Sequence, residues 1–437
     1  MEWARFRKYA RRMRELWRCS TSDRLSLETF SAIQLYTINE PLLPNLKTLE
    51  IMEIEAWFVP FIPLFLSQRT TSITLEFESN LAEATVASMI TTLPTLCPDL
   101  QVISLQDTPR DPMVITAVSG MLLATNRNTL QELDINSPLT KEASDVLYKL
   151  PNLRSLSVAI QRGAPLPSAS LPNLTDLKIW CDNEDDWPRL FHGATFGKLR
   201  SVCFHPQSEQ IGDFLGAFER AALSSSVQNT LSSFCIFTQH SWNPNYPSLL
   251  PFTQLVYLVI QFSCDGGCSS RVDDDIVIRL SRAMPKLESL ELGDTSCGQI
   301  TGGVTTKGLL SLAHRCPKLS TLRLHLQVPS LSGPPGIPGM TPTAGPTAPW
   351  TDCALTELGV GRAPMPEGSE MIIALTLLQI FPRLNYILCI NRRWKGVEDA
   401  INRSRGIIDY SSKQHPFATP RNTVNDRFTG ATLERSD

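Results

Sequence analysis

The amino-acid sequence predicts an α/β fold, a single curved solenoid of short repeated units, and three observations indicate this class. A phrase of the form Leu-x-x-Leu-x-apolar recurs along the 437 residues. It is often directly preceded by Pro-x, as in the segments Leu43–Ile51 and Leu150–Val158. Its apolar positions alternate with period two, which is typical of a short strand with one buried face. Patterns typical of amphipathic helices fill the intervals between the phrases.

The spacing of the phrase indicates the type of repeat. Its last apolar residue moves from position 51 to position 389 in twelve steps of about 28 residues, within the range of leucine-rich repeats. A unit of one strand and one helix cannot bury its apolar face alone, so the units must stack. We therefore expect about thirteen units, with parallel strands on the concave face and helices on the convex face.

Helical patterns and prolines alternate between the strands. We expect helices over 80–92, 114–124, 142–150, 210–223, 273–284, 306–315 and 370–381. Proline then ends most of these helices, because it lacks the N–H that would continue the helix. The acidic triplet Asp273-Asp274-Asp275 is expected to cap and charge the first turn of the helix that follows it.

The chain divides into three parts by these patterns. Residues 41–395 carry the repeats, with a flexible insertion at 329–350 that is rich in Pro, Gly and Thr. Residues 1–40 combine basic and aromatic residues and are expected to form cap or linker helices, although Met13–Arg18 resembles a weak further copy of the phrase. Residues 396–437 lose the repeat and are expected to be a mostly disordered tail.

Composition excludes several classes of function. The net charge of −3 argues against a general nucleic-acid binder, which normally shows a basic stripe. Eleven scattered cysteines, together with an opening that lacks an apolar signal segment, favour an intracellular protein, cytoplasmic or nuclear. The longest apolar stretch, 57–66, contains two prolines and is too short to span a bilayer.

No pattern in the sequence is typical of a catalytic or cofactor site. The six histidines are dispersed and lie in no hydrolase or metalloprotease motif. Cys264 and Cys268 resemble half of a zinc site, but no second pair follows with ligand spacing. We therefore expect a protein that is not an enzyme and that has neither a cofactor nor a metal site.

Strand alternation predicts which residues point into the concave groove. In the early units these are Glu50, Glu76, Glu78, Glu132 and Asp134, and a late unit adds Arg323 and His325. The predicted partner-binding residues are Lys178, Trp180, His205, Phe237 and Tyr257.

Aromatic side chains grouped on a concave sheet indicate a site for a protein partner. The alternative is that loops or the 329–350 insertion of this chain cover them. We expect Trp180, Phe237 and Tyr257 to occupy equivalent positions in their units, with Lys178 and His205 at the border.

The opening and the repeats resemble a family. Residues Trp3–Leu16 resemble the segment that joins the F-box to the repeats in fungal F-box/leucine-rich-repeat proteins, and the Leu-Pro-Asn-Leu and Cys-Pro-x-Leu phrases look like the repeats of that group. The resemblance extends over about residues 1–395. It implies a substrate-recognition subunit of an SCF-type ubiquitin ligase, in which the F-box grips an adaptor and the repeats hold the substrate.

This chain departs from the family pattern at the F-box. Only two residues precede Trp3, so we expect the F-box to be absent from this chain. Binding to the ligase adaptor is then expected only if an F-box exists upstream. The alternative is a leucine-rich-repeat scaffold or adaptor unrelated to ubiquitination.

Overall fold

The computed structural model describes residues 2–18, 27–37, 41–78, 80–125, 128–147, 149–160, 170–181, 195–206, 214–238, 244–262, 272–293, 303–327, 351–361, 363–389 and 391–405. The strands in these ranges are β1 Glu15–Arg18, β2 Thr48–Ile54, β3 Ser72–Phe77, β4 Val102–Gln106, β5 Glu132–Pro138, β6 Ser155–Ile160, β7 Ser170–Leu171, β8 Asp176–Cys181, β9 Thr195–Phe196, β10 Ser201–Pro206, β11 Ser233–Thr238, β12 Tyr257–Phe262, β13 Ser289–Leu292, β14 Thr321–Arg323, β15 Glu357–Gly361 and β16 Tyr386–Cys389. The α-helices there are α1 Glu2–Ala10, α2 Leu27–Tyr36, α3 Glu83–Leu96, α4 Pro112–Ala124, α5 Lys141–Leu147, α6 Phe214–Ser224, α7 Asp274–Ala283, α8 Thr306–Arg315, α9 Glu370–Ile380 and α10 Arg393–Ser404. Short 3-10 helices span Val59–Leu64, Val227–Asn229 and Tyr246–Leu249.

The strands confirm the predicted α/β leucine-rich-repeat solenoid. Within the described ranges, fourteen strands form one open sheet in chain order, and β7 and β9 form a separate two-stranded sheet. Every pairing in the large sheet is parallel, from β1 with β2 to β15 with β16. Strands β6 and β8, which follow the phrases that begin at Leu150 and Leu171, are direct neighbours, with Leu156 opposite Leu177. Stacked repeats require this adjacency.

The two apolar positions of each strand form continuous buried rows beneath the helices. The first row contains Leu49, Ile73, Ile103, Leu133, Leu156, Leu177, Val202, Phe234, Leu258, Leu290, Leu322, Leu358 and Ile387, all buried. Helices pack on their neighbours in the chain, as α3 does on α4 and α7 on α8. The core therefore lies as a band between the sheet and the helices and lengthens with each unit.

The asparagine of the Leu-Pro-Asn-Leu phrase connects neighbouring units. The Nδ2 atom of Asn152 donates to the carbonyl of Asn128 at 2.6 Å, and that of Asn173 donates to the carbonyl of Pro151 at 2.8 Å. Asn45 makes the same bond to Arg11 at 2.7 Å. These bonds satisfy backbone carbonyls just before the strands, which explains why asparagine follows the proline in this phrase.

Both ends of the solenoid differ from the prediction. Glu15–Arg18 is not part of a cap helix but the first strand of the sheet, which agrees with the weak copy of the phrase at Met13–Arg18. The carbonyl of Arg14 accepts from the N–H groups of Lys47 and Thr48, as the equivalent carbonyls of later units do. At the other end, α10 begins before residue 396 and buries Trp394 and Ile401, so the solenoid includes residues expected in the tail. The segments 329–350 and 406–437 lie outside the described residues.

The acidic triplet ahead of α7 acts as predicted and also connects two units. The side chain of Asp273 accepts a hydrogen bond from the N–H of Ile276 at 3.0 Å and caps the helix. The Oδ1 atom of Asp274 accepts from the N–H groups of Thr305 and Gly308, at 2.8 and 3.1 Å, at the start of α8. This carboxylate therefore stabilises the first turn of the next helix as well.

Leu156 tests the stacking of the core. We expect Leu156→Ala to lower the free energy of unfolding by about 2–5 kcal/mol, because the side chain is 2% exposed and its removal leaves a cavity. Hydrogen exchange should also accelerate in β5 and β8, the neighbouring strands. Denaturant melting gives the first quantity, with Leu123→Ala on the exposed side of α4 as the control. A loss below about 0.5 kcal/mol, the level of a surface substitution, would contradict the core position of Leu156.

Candidate partner-binding surface

The register of the sheet aligns one outward position from each of the strands β2 to β15 of the large sheet into a central row. The row runs through Glu50, Thr74, Ser104, Asp134, Ser157, Lys178, Cys203, Cys235, Val259, Glu291, Arg323 and Gly359. Its chemistry changes along the solenoid from polar and acidic to apolar, and then to charged and paired. The concave face therefore has three sections, each with its own chemistry.

The middle section carries a stack of aromatic rings, which we name the aromatic row and which consists of Trp180, His205 and Phe237. The ring centroids of Trp180 and His205 are 5.3 Å apart with an interplanar angle of 22°, and His205 and Phe237 show the same values. The Nζ atom of Lys178 lies 4.4 Å from the centroid of the Trp180 ring, in a cation–π contact. Four of the five predicted partner-binding residues therefore come together, with His205 in the centre of the row and not at its border.

The protonation state of the aromatic row follows from its surroundings. Burial, with a smaller contribution from the Lys178 ammonium, lowers the pKa of His205 to about 3, so the imidazole is neutral at pH 7. Burial also lowers the pKa of Lys178, while Cys203 and Asp134 act in the opposite direction. A neutral ring stacks between Trp180 and Phe237 without bringing a second positive charge next to Lys178.

A cysteine and a histidine meet beside this row, but their environment does not favour a nucleophile. The Sγ atom of Cys203 lies 3.3 Å from Nε2 of His205. Burial raises the pKa of the Cys203 thiol well above its usual value, and burial raises that of Cys235 to about 12. A nucleophilic cysteine needs a lowered pKa, because the thiolate is the reactive form. Cys203 and Cys235 instead pack with Val259 as an apolar floor beneath Phe237.

Tyr257 does not belong to the aromatic row, so the expectation that it is equivalent to Phe237 is wrong. Phe237 lies opposite Gln261 on β12, whereas Tyr257 lies opposite Ser233. Alternation places Tyr257 and Gln261 on the same face, but the hydrogen-bonded register decides which row each joins. Counting from the leucine that opens each phrase, Leu231 and Leu255, identifies the correct partner.

The section formed by β3 to β10 contains an open groove of about 410 Å³, which we name the acidic groove. Its lining includes the predicted residues Glu132 and Asp134, and also Asp176, which was not among the predicted groove residues. The Oδ2 atom of Asp134 accepts from Ser104 Oγ at 3.3 Å and from Gln106 Nε2 at 3.4 Å. These two bonds orient the Asp134 carboxylate on the groove floor.

The strand ends beside the acidic groove are also rich in carboxylates. Burial raises the pKa of Glu76, and the nearby carboxylates of Asp107 and Glu53 raise it further. Burial likewise raises the pKa of Asp107. Like charges that disfavour each other's ionisation produce a negative potential at this end of the concave face.

The third section contains a group of hydrogen-bonded polar and charged side chains, which we name the ionic network and which consists of Gln261, Glu291, Arg323 and Glu357. The Nη2 atom of Arg323 lies 2.8 Å from Oε1 of Glu357, and its Nη1 atom lies 3.4 Å from Oε2 of Glu291. Gln261 donates to the same Glu291 oxygen at 2.7 Å. Glu291 is 1% exposed, and burial raises its pKa although Arg323 acts in the opposite direction.

The ionic network changes the expected role of the late concave residues. Arg323 and His325 were expected on the open groove, but both are buried, and burial lowers the pKa of His325. A Cβ at Gly359 would lie 2.6 Å from Cγ of Arg323, so glycine gives the arginine room to cross the sheet towards Glu357. The side chains of this section therefore connect four neighbouring strands of the sheet to one another.

In the described part of the chain, no three His, Cys, Asp or Glu side chains come together in a way that could hold a metal ion. No helix within the described ranges is long and apolar enough to cross a membrane.

Comparisons with known proteins yield similarity in structure only. No family model matches the sequence, and no curated protein matches it. Among solved structures, the chain is similar to Rad7 from the crystal structure of the yeast Rad7 and Elc1 complex, with 14% identity and a TM-score of 0.39, over 70% of this chain and 79% of that one. It is also similar to an internalin, InlF from Listeria monocytogenes, with 11% identity and a TM-score of 0.40, over 85% of this chain and 92% of that one.

Proposed function

We propose that this chain is a protein-binding leucine-rich-repeat receptor that holds its partner on the concave face. The observation that supports this most is the aromatic row, three stacked rings on successive strands with the Lys178 ammonium at one end. Tryptophan and other large aromatic side chains contribute a disproportionate share of binding energy in protein interfaces. All three rings retain some exposed surface, so a partner can bury the remainder.

The surroundings of the aromatic row have the organisation of a protein interface. An apolar floor of Cys203, Cys235 and Val259 lies on one side of the rings, and the polar acidic groove begins at Lys178 and Cys203. Protein interfaces commonly combine an apolar centre with a polar rim. The rings extend over three strands, about 10 Å at the spacing of a sheet, and continue into the groove. This extended shape fits a polypeptide segment better than a compact small molecule.

The more specific proposal is a substrate-recognition subunit of an SCF-type ubiquitin ligase, and it rests on the resemblance of Trp3–Leu16 and of the repeats to fungal F-box proteins. A scaffold or adaptor unrelated to ubiquitination is the second candidate, because the same concave face would serve it equally. Partner lifetime in cells with and without this chain separates them. A receptor shortens the lifetime in a proteasome-dependent manner, and a scaffold leaves it unchanged.

Trp180 tests the partner surface. We expect Trp180→Ala to reduce capture of the native partner by about tenfold or more, because truncating a central aromatic residue commonly costs about 2 kcal/mol or more of binding energy. Tyr257→Ala should also weaken capture if the partner extends along the strands as far as Ser233 and Tyr257, which lie opposite each other. The measurement is quantitative mass spectrometry of proteins recovered from native lysate on wild type and on each variant.

The control for this experiment is Met371→Ala, which changes an exposed residue of α9 away from the concave sheet. Circular dichroism should show the same helix and strand content for all four proteins. Unchanged partner recovery with Trp180→Ala and Tyr257→Ala, in folded protein, would move the binding surface away from the middle strands.

A further inference from the structure

The acidic groove carries more negative than positive charge on its own walls. Three carboxylates line it, those of Glu132, Asp134 and Asp176, and Lys178 is the cationic side chain of the lining. The Nζ atom of Lys178 lies over the ring of Trp180 and also interacts with the Asp134 carboxylate, which acts to raise the pKa of Lys178, so this one cation is outnumbered by the three carboxylates. On the central row Ser157 separates Asp134 from Lys178, with one residue on each of three successive strands. The groove floor beside Asp134 is therefore suited to a cation from outside.

The same floor contains polar atoms without partners. Ser157 is 6% exposed, and its Oγ atom has no hydrogen-bond partner within the described part of the chain. The buried Oε1 atom of Gln106 likewise has no hydrogen-bond partner among the residues that the structure describes. Buried polar groups are nearly always paired, since an unmade hydrogen bond is unfavourable. Both atoms can accept a hydrogen bond, so a hydrogen-bond donor from a ligand would satisfy them.

Only some side chains match this set of acceptors. The floor offers the Asp134 carboxylate, the Gln106 carbonyl oxygen and the Ser157 hydroxyl, while Glu132 and Asp176 add charge at the strand starts. A guanidinium carries five N–H donors in one plane together with a permanent charge. A lysine ammonium has only three donors and is more strongly hydrated. It is therefore less suited than a guanidinium to bind several acceptor oxygens at the same time.

We propose that the acidic groove binds an arginine side chain from an extended segment of the protein partner, with the guanidinium above Ser157 and against the Asp134 carboxylate. This inference rests on the proposed function and specifies what the concave face recognises. The aromatic row contacts the neighbouring part of the same segment. The carboxylates at the strand ends, including Glu76, increase the local concentration of basic segments through their field.

The test uses the full chain and synthetic peptides. The probes are fluorescein-labelled decapeptide pools, random except for one central position that is arginine, lysine or citrulline, the neutral isostere of arginine. We expect the arginine pool to bind about tenfold or more tightly than the citrulline pool, and more tightly than the lysine pool, by fluorescence polarisation. The preference should decrease as salt is raised, because the groove is open to solvent.

Two variants show where the preference arises. Asp134→Asn keeps the size of the side chain and should abolish the preference for arginine over citrulline. Glu142→Gln removes an exposed carboxylate of α5 that is not part of the groove lining, and it should leave the preference unchanged. Both variants should retain the melting temperature of the wild type within a few degrees, which separates a lost contact from a lost fold.

Other outcomes would overturn the inference. Equal binding of the arginine and citrulline pools, equal binding of the arginine and lysine pools, or a preference that persists in Asp134→Asn each contradicts an arginine site on this floor. If Trp180→Ala loses the native partner while the pools show no preference, the proposed function stands and the arginine site does not. If Asp134→Asn abolishes a clear preference while Trp180→Ala recovers the partner normally, the arginine site stands and the aromatic row is not the main contact.

Discussion

Replacing Arg323 with alanine should lower the free energy of unfolding by about 3–5 kcal/mol, because it leaves the buried carboxylate of Glu291 without its cation. Arg323 contacts Glu291 at 3.4 Å and Glu357 at 2.8 Å, and Glu291 is almost fully buried. The matched control is Arg279→Ala in the exposed pair of Arg279 with Asp275, at 3.9 Å, where the loss should be below about 1 kcal/mol. Equal losses in the two variants would show that the ionic network does not stabilise the fold in this way.

The loss in Arg323→Ala should depend on pH with a definite sign. Burial raises the pKa of Glu291 in the folded protein, so its charged form opposes folding above that pKa and its neutral form is tolerated below it. Without Arg323 the pKa should rise further, because Arg323 acts to lower it. The difference in stability between variant and wild type should therefore be largest at neutral pH and should decrease as the pH falls. A double replacement of Glu291 and Arg323 by methionine should recover part of the loss, since neither charge then remains.

Phe218→Ala should also lower the free energy of unfolding by about 3–5 kcal/mol. Phe218 lies on α6, and its ring contacts three others, those of Phe204, Phe234 and Phe252, at centroid distances of 5.6, 5.3 and 5.5 Å. Phe204 belongs to β10 and Phe234 to β11, so this one side chain joins the helix layer to two strands. Its removal leaves a cavity and breaks three aromatic contacts, each of which adds to the burial term.

The effect of Phe218→Ala should extend to the neighbouring units. Hydrogen exchange should accelerate in β10 and β11, because the units of a solenoid stabilise one another through their interfaces. Leu223→Ala is the matched control, since Leu223 lies on the exposed side of the same helix. A loss in Phe218→Ala no larger than in Leu223→Ala would contradict the central position of the Phe218 ring.

The alternation of buried and outward residues along each strand predicted a large part of the candidate surface. Lys178, Trp180, His205 and Phe237 were selected because each lies at an outward position of a Leu-x-Leu strand, and the structure places them in one contiguous stack. Ser157 and Gln106 were not selected, because a neutral polar residue at an outward position has no distinguishing pattern in a sequence. Their importance depends on hydrogen bonds that the surrounding strands leave unmade.

The sequence by itself determined the repeated unit, the order of strands and helices and the face of each strand that is buried. These properties are local, since a period of two places Leu49 and Ile51 on the same face whatever lies beside them. Only the tertiary structure decided which charged side chains of different units pair. Arg323 reaches Glu291 and Glu357 on the strands at either side of its own. It also decided between the two expectations for Glu15–Arg18, a cap helix and a further copy of the phrase, because parallel pairing with β2 satisfies the backbone groups of a strand there. The physical reason is that register and edge pairing depend on hydrogen bonds between units about 30 residues apart, which the local pattern of one unit does not contain.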